Sequence, residues 1–412
     1  MNSRVATKII PLEENGGVAK ITVSSEDGEN TVDCEVSFKH RENPEIKAEV
    51  VNKDGKNAVI TFVFDDGDLT SADIIISKLM KKYPSVRPSF AIICNRLASA
   101  EKKGEGFNFT PEKYSYIPIS DSIFSKTQYK YEFWKRAAEV EGVDVLSHSY
   151  SHTTEGIESD PEFELKASQA ILSELCSADS LCYVMPGVGT ISNPEYLKTL
   201  DSGTVYIGVR TTGKKVNLAS TYNPFRVSSY ALARHSTKLL CDATYTTDEN
   251  SSKELCLAAG IEAWEKYIDD AVNSGGWACF CIHSLSPQGT DIRGKWRVYE
   301  EQIYALFKYA HTLSNNGVAW VANFTEASIY YREWKEAKIT ATVLGESSIS
   351  VKLECELDSE VFNMPLTVKV SVPKSWTSAK VGESELSISE NDDGEKYVYV
   401  NVAPSETVTI IK

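Results

Sequence analysis

The chain has no run of about 18 apolar residues, so no segment is built to cross a bilayer as a helix. It has no excess of positive charge either. Its 43 Lys and Arg stand against 58 Asp and Glu, giving a net charge of −15 and a pI near 5.0. Nucleic-acid binding and docking on anionic membrane both need clustered cations, so neutral partners fit better. The nine cysteines include no CxxC or other zinc-ribbon spacing, and their odd number leaves at least one thiol unpaired within the chain. No solenoid repeat and no low-complexity tract is visible. The first residues, MNSRVATKII, lack the apolar stretch of a signal peptide. The protein either stays inside the cell or has had a leader removed.

What is present is the composition of a globular protein, 42% hydrophobic and 25% charged over 412 residues, long enough for two or three domains. Cys279 and Cys281 lie two apart in WACFCIH, on one face of an apolar strand, and read as small buried hydrophobes. Cys176 and Cys182 are close enough to bridge, though nothing demands it.

Three regions differ in pattern. Residues 1–56 alternate apolar and polar in VAKITVSS, TVDCEVSFKH and IKAEVV, separated by turn signals, which predicts a β-rich N-terminal segment. Residues 57–336 alternate buried-type strands (NAVITFVF, RPSFAIICN, VDVLSHS, LCYVMP, TVYIGVR, WACFCIH, VAWVANF) with helical stretches such as PEFELKASQAILSELC. About seven such pairs predict an α/β protein, a (β/α) barrel with seven strands and some distortion, over an open doubly wound sheet. Residues 337–412 read as six or seven short strands with Gly, Asp, Asn and Pro between them, an immunoglobulin-like β-sandwich.

In parallel α/β folds, functional groups gather where strands end at their carboxyl side. That rule selects Asp65 and Asp66 after VITFVF, His148 and His152 after VDVL, and His283 after WACFCI. Three of the chain's six histidines fall at such ends. His148 and His152 are four apart, so a helical turn or tight loop lets both imidazoles reach one ion. One added carboxylate completes a two-His, one-carboxylate set with open positions for water and substrate. One of the paired acids is then neutralised by a divalent cation, and the other stays ionised beside it for proton transfer. Taken singly, each motif has a plainer reading: DDG as a turn or helix cap, His283 as a core histidine.

In order and spacing, these motifs resemble those of the NodB-homology polysaccharide deacetylases, carbohydrate esterase family four, over roughly residues 57–336. TFVFDDG is similar to that family's TFDDG motif and HSYSH to its H[ST]xxH motif. PSFAIICN stands at its second strand, YVMPGVG at its proline motif, and GGWACFCIH at its tryptophan and final histidine. NNGVAWVANFTEASIYYREW closes the domain as in extracellular members. The resemblance implies that Asp66, His148 and His152 hold one divalent metal ion, Zn²⁺ first, with Co²⁺, Ni²⁺ or Mn²⁺ as alternatives. It makes Asp65 the general base, His283 the general acid and the Gly187 backbone N–H an oxyanion donor. Trp277 either walls the acetyl pocket or is plain core.

The family's base-orienting Arg is missing from the proline motif, where Val184 and Met185 stand. Arg210 and Arg226 are the replacements on offer, each read first as an ordinary surface cation. Asp269, Asp270 and Asp291 are the candidate neighbours of His283. The implied substrate is an acetylated glycan, an N-acetylglucosamine polymer such as peptidoglycan or chitin before O-acetylated xylan, and the implied location is the periplasm or cell surface. Two other classes compete. One is a non-catalytic carbohydrate binder using Trp376 and Tyr397, the other a metal-independent hydrolase of small cyclic amides.

Overall fold

The computed structural model describes residues 5–7, 16–24, 31–39, 46–97, 99–100, 114–115, 127–153, 160–187, 193–232, 249–286 and 297–412. Seven parallel strands close into a barrel: β1 (Ala58–Phe64), β2 (Pro88–Ile92), β3 (Asp144–Ser147), β4 (Cys182–Val184), β5 (Gly208–Thr212), β6 (Val227–Ala231) and β7 (Trp277–Ile282). Closure is the pairing of β7 with β1, which runs from Trp277 opposite Val59 to Ile282 opposite Phe64. An eighth strand, β8 (Ala319–Val321), pairs with the first half of β1, while β2 pairs with its second half. The expected seven-stranded distorted barrel is therefore present, with one change of membership. β6, at Val227–Ala231, supplies the seventh barrel strand, and VAWVANF supplies the extra one. Ser228 and Ser229 interrupt the apolar pattern of β6, which hides it in the sequence.

All seven residues of β1 are buried because both of its faces are covered. Ile60, Phe62 and Phe64 face outward and pack under helices α2 (Glu249–Ser274) and α3 (Glu300–Asn315), with Phe62 and Phe307 rings 4.8 Å apart. Val59, Thr61, Val63 and Asp65 face the barrel interior, alongside Trp277, Cys279 and Cys281 of β7. Each large apolar side chain so buried contributes roughly 1.5–3 kcal/mol.

The amino-terminal end of the barrel is plugged. Helix α4 (Phe324–Glu336) starts at a capping box, with Asn323 Oδ1 accepting from Glu326 N at 2.8 Å and Glu326 Oε2 accepting from Asn323 N at 3.1 Å. It sets Phe324 and Tyr331 against Trp277, with centroids 5.4 and 5.3 Å away. Polar groups are left to the other end.

Beyond residue 337 two antiparallel sheets follow. One joins 338–345, 348–354, 407–411, 379–381 and 384–386; the other joins 389–390, 396–402, 366–372 and 48–50. Ile349, Val351 and Leu353 of the first and Val368, Val370, Val398 and Val400 of the second belong to one buried cluster, which continues into α4. Strand 48–50, which the sequence pattern groups with the N-terminal segment, is thus an edge of the C-terminal region, with Val50 opposite Val368. Residues 5–7, 16–24 and 31–39 form a separate three-stranded antiparallel sheet. No helix among the described residues is long and apolar enough to cross a membrane. Cys176 and Cys182 are both free thiols rather than a bridge.

Candidate active site

Strands β1, β3, β4, β5 and β7 all end at the open mouth of the barrel and bring the singled-out side chains together. The β1 end turns sharply. Asp66 has φ 70° and Gly67 φ 66°, and a Cβ on Gly67 would lie 3.2 Å from Ile92 Cδ1, so the second acid must be followed by glycine. Non-glycine residues rarely adopt left-handed backbone, yet Ser149 (φ 66°) and His152 (φ 59°) do so in the facing loop. These turns aim Asp66 and the two imidazoles at one another. Asp66 Oδ1 is 3.6 Å from both His148 Nε2 and His152 Nε2.

The loop that carries the histidines is pinned at several points. His152 N donates to Ser149 Oγ at 2.8 Å, and Ser151 N donates to Oε2 of the buried Glu164 at 2.9 Å. Glu164 belongs to α1 (Pro161–Cys176), whose Asp160 cap accepts from Phe163 N. His148 Nδ1 lies 2.8 Å from the Val184 carbonyl, so it carries the proton and leaves the Nε2 lone pair facing Asp66. Burial lowers the His148 pKa from 6.5 to about 4, against the pull of Asp65, and keeps the ring neutral near pH 7.

Those features test the site as a metal centre. A ligating histidine must be neutral and held by its other nitrogen, and His148 is both. Ligand atoms about 2.1 Å from a tetrahedral ion lie roughly 3.4 Å apart, close to the observed spacing. Asp66, His148 and His152 fit a divalent cation, one oxygen and two nitrogens, with all donor atoms within 4.8 Å of one another.

Asp65 takes a different environment. It is buried, and its Oδ2 accepts from Arg210 Nη2 and, at 3.4 Å, from Cys281 Sγ. Burial pushes its carboxyl up, but the Arg210 guanidinium, with His148 and His283, outweighs that and holds it below the ordinary 3.8. Oδ1 is buried without a hydrogen-bond partner. His283 Nε2 lies 4.0 Å from Asp65 Oδ2, and His148 Nε2 3.8 Å from it. Gly187 follows β4 at the same mouth; it is exposed, and a Cβ there would meet nothing within 4 Å.

Several sequence readings change here. Trp277 does not reach the site: it opens β7 at the plugged end, is fully buried, and donates from Nε1 to Thr61 Oγ1 at 2.9 Å. Arg210 is no surface cation but a buried partner of Asp65, with Nη1 donating to Ser229 Oγ at 3.3 Å. Arg226 instead pairs with Asp201 at 2.8 Å. Asp269 accepts from Tyr309 and Asp270 pairs with Lys266, both on the exposed side of α2, so neither neighbours His283. Asp291 lies outside the described residues. Trp376 is buried in the C-terminal core and cannot stack on a sugar, and Tyr397 lies under Lys369 Nζ, 4.5 Å from its centroid.

Sequence reasoning passed over Glu164 and Arg96, whose Nη1 donates to the Asp66 carbonyl at 3.2 Å, and read Cys281 only as a small buried hydrophobe. Arg96 and Glu164 carry no local signal. Cys281 does: it shares the inward-facing side of β7 two residues before His283.

No family model matches the chain. A gellan lyase from a Bacillus species is 24% identical over 309 residues, which cover 73% of this chain but 12% of that protein. Similar solved structures include a polysaccharide deacetylase from Bacillus cereus, 12% identical, covering 66% of this chain and 93% of that one with TM-score 0.36. A CE4 esterase from Streptococcus mutans is 14% identical, covering 64% and 85% with TM-score 0.34. The Xyl-CE4 domain of a multidomain xylanase from the hindgut metagenome of Trinervitermes trinervoides is also 14% identical, covering 65% and 88% with TM-score 0.32.

Proposed function

We propose that this protein is a metal-dependent hydrolase that removes acetyl groups from a carbohydrate polymer, a polysaccharide deacetylase of carbohydrate esterase family four. The observation that carries the reading is the convergence of Asp66, His148 and His152 on one point, with Asp65 and His283 beside it at the mouth of a parallel barrel. The ordered motifs of the sequence support it independently.

A divalent ion held by those three residues, Zn²⁺ first by donor type, supplies a Lewis acid that polarises a carbonyl and acidifies water. The protein supplies the rest. Asp65, kept ionised by Arg210, takes a proton on Oδ1, the oxygen without a partner. His283 faces Asp65 and hands a proton to the departing amine or alkoxide. The Gly187 N–H, at an open position of the mouth, is the oxyanion donor. Acetate and the free sugar nitrogen or oxygen are the products. An N-acetylglucosamine polymer is the proposed substrate and export the proposed destination. Residues 57–336 are the proposed catalytic unit, with the β-rich regions beside it as accessory modules.

Elemental analysis of wild type, Asp66→Ala and His148→Ala, paired with acetate release from chitin oligomers, peptidoglycan and acetylated xylan, tests the reading. One bound divalent ion in the wild type and loss in both variants are expected, together with acetate from at least one glycan. Equal metal content in all three proteins removes the site.

A further inference from the structure

We propose a second cation site, made by Asp65, Cys281 and His283, which takes a soft divalent ion such as Cd²⁺ and stops turnover by occupying the base and the acid together. Its inhibitory consequence rests on the hydrolase reading above; its binding does not.

The donors already lie together. One oxygen of Asp65, Cys281 Sγ and one ring nitrogen of His283 fall within 4.8 Å of one another. Sγ is 3.4 Å and His283 Nε2 4.0 Å from Asp65 Oδ2, and Asp65 Oδ1 is buried without a partner. Cys281 faces the barrel interior because β7 alternates strictly from Trp277 to Ile282, with Cys279 and Cys281 inward and Phe280 and Ile282 outward. A thiol, an imidazole and a carboxylate form a softer set than the Asp66 site, and sulfur selects Cd²⁺ and Zn²⁺ over harder ions.

Binding releases the Sγ–H proton to solvent as the sulfur–metal bond forms. The thiolate and Asp65 then offset a dication, while Arg210, already bonded to Asp65, opposes it. That opposition, together with the energy needed to ionise a buried thiol, makes this site the weaker of the two. It fills only after Asp66, His148 and His152 are occupied, as an inhibitory site should.

The test uses the full chain carrying one equivalent of Zn²⁺, titrated with Cd²⁺ while near-ultraviolet thiolate-to-cadmium charge-transfer absorption and acetate release are followed. The expected result is a band that saturates with one further equivalent as activity falls. In Cys281→Ala the band is lost, because the thiolate that gives rise to it is gone, and the cadmium concentration for half-inhibition rises at least about tenfold, since even outer partners of a metal site are worth that much. Relative to its own cadmium-free rate, that variant resists inhibition. His283→Ala weakens the band as well, and Asp66→Ala retains it. If Cys281→Ala does not fold, Cys281→Ser carries the same comparison. No band, or an undiminished band without Cys281, overturns the proposal. A band in a protein that releases no acetate from any glycan keeps this site and removes the hydrolase. Acetate release that persists under excess Cd²⁺ without a band does the reverse.

Discussion

Arg210 and Asp65 are 145 residues apart in sequence and form a fully buried ion pair at the mouth of the barrel, Nη2 donating to Oδ2. The pair answers why two adjacent acids persist at a strand end. Asp66 is half exposed and open to a cation from outside, whereas Asp65 has its countercharge built into β5, three strands round the closed barrel from β1, so the two acids do not draw on the same countercharge.

Replacing Arg210 with Met leaves the Asp65 charge buried and alone. Removing one partner of such a pair costs about 3–5 kcal/mol at neutral pH. The sign with pH follows from the lowered Asp65 pKa. Below its ordinary value of 3.8 the unfolded chain binds a proton that the folded one refuses, so the contribution is present above that value and lost as pH falls through the folded one. Urea denaturation of wild type and Arg210→Met should therefore differ by several kcal/mol at pH 7 and converge in acid. Equal stability at pH 7 would show that the pair is not formed.

His148 predicts a second pH dependence, visible in protein stripped of metal by a chelator. Its ordinary pKa is 6.5 and burial lowers the folded value to about 4. Between those values the unfolded chain is protonated and the folded one is not, so stability is full above 6.5 and declines as pH falls toward about 4. The gap corresponds to roughly 3 kcal/mol. His148→Gln should flatten that slope while keeping a polar group near the Val184 carbonyl. A slope of equal size in the variant would assign it to other groups.

Much of this site was legible because a parallel strand hands its chemistry to its carboxyl end. Asp65, Asp66, His148, His152 and His283 could be chosen on that rule, and they do meet. Trp277 misled because the family resemblance, and not the strand-end rule, set it at the site; it opens β7, a full strand length before His283, at the end away from the mouth. Arg210 ends the run TVYIGVR but stands in the middle of β5, and its partner is set by barrel closure, which no local pattern reports. Strand 48–50 likewise pairs with 366–372 across some 300 residues, so its sheet cannot be read from its neighbours.

Glu164 should govern how firmly the histidine loop holds its ion. Its Oε2 accepts the N–H of Ser151, which lies between His148 and His152 in the loop. Glu164→Ala leaves that N–H buried without an acceptor and frees the loop, which should weaken metal affinity by about 10–100-fold. Glu164→Gln keeps an oxygen acceptor and should restore most of the affinity. Competition with a fluorescent chelator measures both. If Ala and Gln behave alike, the effect is bulk stability and not loop placement.

Glu333 sets the pH limit of the contact between the barrel and the C-terminal sheets. It sits on α4, fully buried, with Oε1 accepting from Met364 N at 2.9 Å and Oε2 without a partner. Desolvation raises its pKa from 4.5 to about 8, so the folded protein keeps it protonated at neutral pH. Here the folded state binds the extra proton, so the contribution is present below the ordinary value of 4.5 and is lost as pH rises to about 8. Cys355, Glu336 and Glu356 gather nearby, and the neighbouring Lys338 is already paired with Glu356 at 3.3 Å. Glu333→Gln keeps the acceptor for Met364 and removes the ionisation. Its melting temperature should exceed that of wild type by a margin that grows from pH 5 to pH 8, equivalent to about 1–3 kcal/mol at the upper end. A wild-type curve that does not fall over this range, or a variant that falls in parallel with it, would mean that Glu333 is already ionised and compensated in the folded protein.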